Sequence, residues 1–464
     1  MLQRTREQLA LLLIGLLPLH ALLVTVWTKL LEGPGHAPLT MLALWKEVLI
    51  IVILAFAVLE WMQLKEKKRK IQLDRFDVCI LLLIILSLLV TAVTHGNWKL
   101  YLFGFKYDFV PLIAFLILRR VPWSEWFSNT VVKVIVVMGG VVAFYGLLTL
   151  ALPASFFRML GYSDLHSLYL PDGPLAAFQQ VGGGSIRRVQ STFSGPNQLG
   201  LWLLLPWSLG IVGFFSNWFK VEHPLLHPDP EDDERRRCVL YGLLLALIGG
   251  VILLTFSRTA WLAALAIVIV FIVKTFPERH LSKHFLRLFG VGVMLLILIT
   301  VLAPTAVVRL ASSRDHLLKP LIAARAMIVH PLGHGLGTAG PASNRVSDAC
   351  VFLEEGGDAS WAADRPDLCV FVGKEQVQPA DRACHCPFVT ENWYLQMGVE
   401  MGVIGFVLYV ALTIFVLLQL ASASAIFLPF FGISIAGLLL HSWEGSAVAY
   451  TLWLLVAVAL PVRR

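Results

Sequence analysis

Three arginines stand close to the starts of two predicted helices, where they could hold a phosphate group. Arg187 and Arg188 come shortly before Pro196 and Asn197, which open one helix, and Arg258 lies in a tight turn between two apolar runs. Arginine binds phosphate oxygens through a fork of N–H groups, and a helix start adds partial positive charge and free backbone donors. The pattern predicts a phosphate or diphosphate site. The alternative is that these side chains anchor the chain among lipid headgroups.

A carboxylate, Glu391, stands directly before a predicted helix that begins with Asn392 and carries Tyr394 in its first turn. It could act as a general base towards an attacking hydroxyl, or it could stabilise the helix start electrostatically. A further candidate is His334, inside the glycine-rich segment 330–337. Glycines allow close backbone approach, although a segment of this kind alone is a weak signal, because most such segments only turn the chain.

Charged residues also occur inside apolar segments. Lys46 and Glu47 lie near one end of the second predicted helix, and Lys106 and Asp108 lie a turn or two into the fourth. Charges inside a membrane are costly and usually mark an ion pair or a cavity. Two interpretations remain open: structural Lys–Glu or Lys–Asp pairs between the helices, or the polar wall of an open cavity.

The elements that position these residues are predicted to be membrane helices. The chain is 58% hydrophobic and only 14% charged, whereas soluble domains carry roughly 25% charged residues. Its apolar runs are long enough to cross roughly 30 Å of hydrocarbon and lack the alternation of spanning strands. The first run has no small-residue cleavage site and is predicted to be a helix rather than a signal peptide. Twelve helices are predicted near residues 10–29, 42–64, 77–94, 100–118, 130–151, 194–218, 239–256, 259–273, 285–303, 392–419, 424–440 and 443–461.

The basic residues of the short loops predict the orientation. An even number of helices puts both termini on one side, and Lys and Arg cluster in the loops on that side, which makes it cytoplasmic. The sequence therefore divides into helices one to nine in residues 1–303, with an outer loop near 152–193, a periplasmic loop subdomain in 304–391, and helices ten to twelve in 392–464. The predicted location is the inner membrane, with the arginines and Glu391 at its outer side.

Four of the six cysteines fall in the 304–391 loop. The outer side of an inner membrane is oxidising, so disulfides are expected there. Cys384 and Cys386 are too close in sequence to pair with each other, so each is predicted to pair with Cys350 or Cys369, in an order left open. The alternatives are a structural zinc site, for which paired C-x-x-C spacing is missing, and free thiols.

Taken in order, these motifs resemble the O-antigen ligase and O-antigen polymerase superfamily of bacterial membrane glycosyltransferases. No single motif carries the resemblance, which rests on their order and their positions in the predicted topology. The matching segments are Phe193–Gly200, Thr255–Trp261, His330–Gly337 and Asn392–Leu395, followed by Glu400, Gly402 and Gly405.

The resemblance implies a C-type glycosyltransferase-like fold and a metal-independent, inverting reaction without a cofactor. The donor would be a glycan on undecaprenyl diphosphate, and the acceptor would be lipid A-core or another lipid-linked repeat. Membrane lipids, but no nucleic acid, would be the other partners. Arg258, with one or both of Arg187 and Arg188, matches the arginines of the family, which stabilise the diphosphate leaving group. Asn197, Lys106, His334 and Tyr394 are further candidates for substrate binding.

Glu391 departs from the family pattern, because many members carry histidine at this position. A carboxylate can do the same work if partial burial raises its proton affinity. The alternative bases are His334 and His385, although neither occupies the matching position.

Two other function classes remain open. A transporter or flippase of lipid-linked glycans should show corresponding broken helices in two halves, and no such symmetry is visible. A non-catalytic scaffold presenting the cysteine-containing loop would explain the loop but not the arginines.

Overall fold

The computed structural model describes residues 1–63, 73–162, 187–222, 232–275, 310–344, 346–353 and 355–462. These residues are mostly helical, and a short 3-10 segment, Leu17–Leu19, joins the first two helices. The helices are α1 Leu2–Leu16, α2 His20–Glu32, α3 Thr40–Ala43, α4 Trp45–Met62, α5 Arg75–Val93, α6 Trp98–Asp108, α7 Val110–Leu118, α8 Glu125–Ala151, α9 Ala154–Met159, α10 Pro196–Glu222, α11 Asp232–Leu254, α12 Arg258–Thr275, α13 Leu310–Val329, α14 Gly340–Ser343, α15 Trp393–Leu420, α16 Ser424–Ala436 and α17 Ser446–Ala459.

The chain is an all-α, multi-pass membrane protein with one small sheet. Among the described residues, seven helical stretches are long and apolar enough to cross a membrane. An eighth is obtained if α6 and α7, which meet at a 43° bend, are counted as one span. The α4 helix is similarly long but carries Lys46, Glu47 and Glu60. These lengths follow from the thickness of the hydrocarbon layer, which about twenty helical residues can cross.

Helices occur at eleven of the twelve predicted positions, and the remaining prediction, 285–303, lies outside the described residues. Within the predicted loop subdomain 304–391, the structure shows a 20-residue helix, α13, that packs against α15. Four charged residues, Arg314, Asp315, Lys319 and Arg325, set the sequence of α13 apart from the apolar runs. Part of the predicted 152–193 loop forms α9, and residues 163–186 are outside the described ranges.

Ion pairs and the two chain termini lie together at one end of the bundle, called here the terminal end. Arg6 contacts Glu60 at 2.9 Å and donates to the carbonyl of Pro122 at 2.6 Å. Arg119 binds both oxygens of Asp74, and the backbone N–H of Val462 donates to the carbonyl of Arg119. Both termini are therefore on the same side of the bundle, as the even helix count predicts.

The opposite end, called here the loop end, contains the starts of α10, α12 and α15. Lys274, near the end of α12, donates to the carbonyl of Ala421 beyond the last turn of α15. Phe415 of α15 lies against Arg75 and Phe76, next to Asp74, so both helix ends are at the terminal end. The first residue of α12, Arg258, consequently lies at the loop end, as does Glu391 just before α15. Gly200 of α10 packs closely on Ala260 of α12, where an added Cβ would lie 2.8 Å from the alanine methyl carbon. The start of α10 therefore also lies at the loop end.

A disulfide-bonded subdomain lies between α14 and α15. Its three strands, β1 Cys350–Leu353, β2 Cys369–Val372 and β3 Glu375–Gln378, form a sheet in which β1 and β2 are parallel and β2 and β3 are antiparallel. Cys350 is joined to Cys386, and Cys369 to Cys384. Each of Cys384 and Cys386 thus pairs with an upstream cysteine, as the sequence predicts, and the order left open is settled. Four-residue strands bury too little surface to hold a subdomain alone, so the disulfides supply the cross-links.

We expect the double variant Cys369→Ser, Cys384→Ser to loosen this subdomain. The bond closes a loop with a sequence separation of 15, and such loops contribute about 3 kcal/mol to the free energy of unfolding. Limited proteolysis of the folded protein should therefore cut within residues 355–390 much faster than in the parent. The matched control is Cys238→Ser, a free cysteine of α11, which should leave this cleavage rate unchanged. Equal cleavage of parent and double variant would contradict the cross-linking role.

Candidate functional site at the loop end

Arg188 lies buried between the starts of two helices. Its Nε donates to the carbonyl of Thr255 at 2.8 Å, and its Nη2 donates to Oδ1 of Asn197 at 2.8 Å. Asn197 is the second residue of α10, and Thr255 lies just before α12. The structure therefore brings together two of the predicted binding residues, Arg188 and Asn197, beside the turn that leads to Arg258.

Arg258 opens α12 and is half-buried. The preceding turn is tight because Phe256 adopts a left-handed backbone with φ of 50°, which is rare for a bulky residue and typical of constrained functional sites. Arg258 is three positions after Thr255, so their Cα atoms are within about 11 Å of each other. Arg188 and Arg258 thus belong to neighbouring segments at two helix starts, a combination of groups that suits an anion with several negative oxygens.

Arg187 occupies a different environment from Arg188. Its Nη1 donates to the carbonyls of Thr149 and Leu152 at 3.1 and 3.0 Å, and its guanidinium lies over the ring of Phe157. These carbonyls belong to the end of α8, where a positive charge is favourable. These contacts of Arg187 stabilise a helix C-terminus, and the phosphate contact expected from the sequence stays a prediction.

Lys106 of α6 and Lys46 of α4 both contact Glu47 of α4, so one pair joins two helices and the other lies within one helix. Lys106 contacts Glu47 at 2.7 Å, and Lys46 contacts the same carboxylate at 3.3 Å. Lys46 also lies 3.1 Å from Nε2 of His20. Of the two interpretations left open by the sequence, this geometry supports a structural pair between helices for Lys106 and Glu47. Asp108 is different, because it is buried and no hydrogen-bond donor reaches it within the described part of the chain.

Glu391 lies among basic side chains at the loop end. Its Oε2 is 3.5 Å from Nδ1 of His316, and its Oε1 is 3.6 Å from Nζ of Lys319, both on α13. The ring of His441, between α16 and α17, is coupled electrostatically to the same carboxylate. Burial lowers the pKa of His441, and Glu391 opposes this by raising it. One acid thus faces two imidazoles and an ammonium group.

The residue that caps α15 by a hydrogen bond is the neighbour of Glu391, Asn392. The side chain of Asn392 accepts a hydrogen bond from the N–H of Leu395 at 2.9 Å, so Asn392 is the residue that caps α15. Glu391 itself has a left-handed backbone with φ of 52°, an unusual conformation for a residue other than glycine. This backbone turns the carboxylate towards α13. Electrostatic stabilisation of the helix start by the carboxylate stays an alternative, because it needs no hydrogen bond.

Tyr394 is a packing residue in this structure. Its hydroxyl donates to the carbonyl of Ser434 at 2.9 Å, and its ring lies 6.3 Å from that of Tyr409. The side chain is 7% exposed and joins α15 to α16. Substrate contact, the role expected from the sequence, would need this hydroxyl to be accessible, whereas here it is buried and bonded.

The glycine-rich segment 330–337 fills a break in α15. The break occurs at Gly402, whose φ is 69°. The segment supplies backbone hydrogen bonds that the helix lacks there. The N–H of His334 donates to the carbonyl of Val399 at 2.9 Å, and the N–H of Val403 donates to the carbonyl of Pro331 at 3.0 Å. His334 is thus positioned at the helix break, and burial and His330 lower its pKa. The contacts explain the glycines, because a side chain would block the approach of the two backbones.

We expect Gly402→Ala to destabilise the protein severely. An added Cβ would lie 2.1 Å from the carbonyl oxygen of Pro331, and alanine is strained by about 1–3 kcal/mol at this backbone angle before any clash is counted. The matched control is Gly250→Ala in α11, where an added Cβ would meet no atom within 4 Å and where alanine favours the helix by roughly 1 kcal/mol. Thermal unfolding in detergent should show a large loss of melting temperature for Gly402→Ala only. Equal melting temperatures of the two variants would contradict the close contact between segment 330–337 and the break in α15.

The alternative base His385 and the alternative metal site both belong to the disulfide-bonded subdomain. The N–H of His385 donates to Asp348 at 2.8 Å, and Arg382 contacts the same carboxylate at 2.9 Å. These two contacts lower the pKa of Asp348, the amide of His385 contributing most. Asp348 lies within 4.8 Å of the sulfurs of Cys369 and Cys384, but those sulfurs are bonded to each other, which does not fit the zinc alternative.

His316, Lys319 and His441 were not identified from the sequence. The first two are three residues apart on α13, which puts them on one helix face, but this spacing carries meaning only once 310–329 is known to be a helix. His441 lies in the connection between α16 and α17, for which the sequence offers no chemical motif.

Comparison with known proteins adds no identification. The chain matches no protein-family model, and no curated protein is significantly similar to it.

Proposed function

We propose that the protein is a membrane glycosyltransferase of the O-antigen ligase or polymerase type, which moves a glycan from undecaprenyl diphosphate to an acceptor sugar. The observation that carries the proposal is the pairing of two sites at the loop end. One is the arginine region around Arg188 and Arg258, which suits a diphosphate. The other is Glu391 with its basic neighbours, which suits activation of a hydroxyl.

Each group has a role in this reaction. Arg258 and Arg188 stabilise the negative charge that develops on the departing diphosphate, which removes the need for a metal ion. Asn197 holds the guanidinium of Arg188 in place through their 2.8 Å hydrogen bond. Glu391 and its neighbours remove the proton of the acceptor hydroxyl. His334 stays a candidate for acceptor contact, while Arg187 and Lys106 support the site through helix contacts.

The proposal includes a topology of twelve spans in the inner membrane, with the loop end in the periplasm. Both termini lie at the terminal end, beside the basic loop residues Arg119 and Arg120, and positive charge favours the cytoplasm. The two disulfides lie at the other end and are stable in an oxidising compartment. Undecaprenyl-linked glycans would then meet the arginines in the outer leaflet.

A transporter or flippase is the second candidate, because two helices are broken, at the bend between α6 and α7 and at Gly402. Broken helices line ion and substrate paths in transporters. In this chain, however, the break at Gly402 is filled by the backbone of segment 330–337, which closes it. The candidate chemistry also gathers at one end of the bundle, whereas alternating access needs a site near the middle of the membrane.

Purified protein in lipid nanodiscs separates these functions. The reaction contains a synthetic undecaprenyl-diphosphate glycan and, in parallel, lipid A-core or a second lipid-linked glycan as acceptor. A glycosyltransferase forms a glycan–acceptor product, which mass spectrometry detects. A flippase forms no product but moves a fluorescent donor between the leaflets of liposomes. A scaffold does neither, so the absence of product with every acceptor would contradict the proposal.

A further inference from the structure

We propose that His316 is the group that accepts the proton of the attacking hydroxyl, and that Glu391 positions His316 rather than acting as the base itself. This inference rests on the proposed function and assigns its proton step. In this inference Glu391, just before α15, positions the base. The imidazole itself comes from His316 on α13.

His316 and Glu391 lie side by side. Nδ1 of His316 is 3.5 Å from Oε2 of Glu391, an ion-pair contact rather than a hydrogen bond, and contacts between catalytic groups are often this long before substrate binds. The side chain of Glu391 is 16% exposed and that of His316 is 31% exposed. The imidazole is thus the more accessible member of the pair.

The carboxylate is held in place by its own segment. The side chain of Asn392 donates to the carbonyl of Leu438 at 2.8 Å, and the N–H of Trp393 donates to the carbonyl of Gly437 at 2.8 Å. These bonds fix the residues that follow Glu391 to the end of α16. The left-handed backbone of Glu391 then directs its side chain to His316. A residue held this firmly is suited to orienting a ring and fixing its tautomer.

Among the residues that the structure describes, three titratable groups contact Glu391 or interact with its charge. His316 and Lys319 approach from α13, and His441 approaches from the connection between α16 and α17. The ammonium group of Lys319 lies 3.6 Å from Oε1, so the oxygen of Glu391 that does not face His316 already has a basic neighbour. A neutral imidazole has a proton affinity better matched to a base that works near neutral pH.

The proton step balances without a further reactant. The acceptor oxygen forms a bond to the anomeric carbon, and the bond from that carbon to the diphosphate oxygen breaks with its electron pair leaving on the diphosphate. The hydroxyl proton moves to the Nε2 atom of neutral His316. The resulting imidazolium keeps its Nδ1–H towards Glu391, whose negative charge stabilises it.

The test compares His316→Gln with His441→Gln and with the control His36→Gln, an exposed histidine between α2 and α3. Full-length protein in nanodiscs is assayed for glycan–acceptor product. We expect His316→Gln to lose about 10²–10⁴ in turnover, as for loss of a general base, and His36→Gln to match the parent. Added imidazole should restore part of the activity of His316→Ala but none of that of Glu391→Gln. Near-parental turnover of His316→Gln, with or without loss in His441→Gln, would overturn the inference.

A second readout does not depend on turnover. Diethyl pyrocarbonate modifies neutral imidazole, so the pH dependence of His316 modification, followed by mass spectrometry, reports its protonation. Removing the carboxylate in Glu391→Gln destabilises the imidazolium, so the midpoint should move to lower pH. An unchanged midpoint would overturn the pairing. If the parent forms no product with any acceptor, the proposed function itself fails; if the parent is active and His316→Gln is equally active, only this inference fails.

Discussion

Arg258→Lys should lose on the order of 10² in glycan transfer, the range seen when one donor to a developing negative charge is removed. Lysine keeps the positive charge but replaces the planar fork by a single ammonium point, which cannot bind two diphosphate oxygens side by side. The substitution should leave folding intact, because Arg258 is half-buried at the first position of α12. Turnover with saturating donor is the measurement, alongside thermal unfolding.

The matched control for Arg258 is Arg365→Lys, an exposed arginine of the disulfide-bonded subdomain. It makes the same chemical change away from the two helix starts and should cost little activity. If Arg258→Lys and Arg365→Lys are equally active, Arg258 serves only as an anchor at the membrane interface. If Arg258→Lys is inactive because it unfolds, its melting temperature will fall below that of the parent, which the unfolding measurement detects.

Glu391→Gln should lose about 10²–10⁴ in turnover, the range for loss of acid–base assistance. Glutamine preserves the shape of the side chain and its ability to accept a hydrogen bond, but it carries no charge to orient and stabilise a protonated neighbour. Donor binding should survive, because the arginines that hold the diphosphate are on α12 and in the segment before α10. Binding of undecaprenyl diphosphate and turnover, measured on the same preparation, separate the two effects.

Glu391→His is the informative companion, because it places the residue common in the resembling enzymes at this position. It should retain more activity than Glu391→Gln, since an imidazole there can itself accept a proton. The left-handed backbone is no obstacle beyond that of the parent, because histidine tolerates it better than most residues. Parental turnover in Glu391→Gln would instead assign the carboxylate a purely structural role and would contradict its positioning of His316.

The helices could be predicted because long apolar runs and membrane thickness dictate them. The sequence did not predict α13, since its polar residues and Pro320 resemble a loop more than a membrane helix. It also did not predict the three-stranded sheet, whose strands are only four residues long. Such short elements depend on disulfides and long-range contacts that no local pattern reveals.

The candidate site was only partly accessible to sequence analysis. Arg188 and Asn197 were expected near Arg258, and the structure places both beside the turn that leads to it. The sequence could not distinguish the roles of Arg187 and Arg188. Neighbouring side chains in an extended segment point in opposite directions, and only the surrounding structure decides which of them faces the site. His316 required knowledge that α13 returns to the start of α15, which is a tertiary contact.

The most direct test of the central claim is the stoichiometry of the reaction in nanodiscs. Undecaprenyl diphosphate and the glycan–acceptor product are quantified together, with and without acceptor, in the presence of EDTA. The account predicts one undecaprenyl diphosphate for each glycan transferred, a strict requirement for acceptor, no effect of EDTA, and loss of both products in Arg258→Lys. Release of undecaprenyl diphosphate without glycan transfer, or no release with any acceptor, would contradict it.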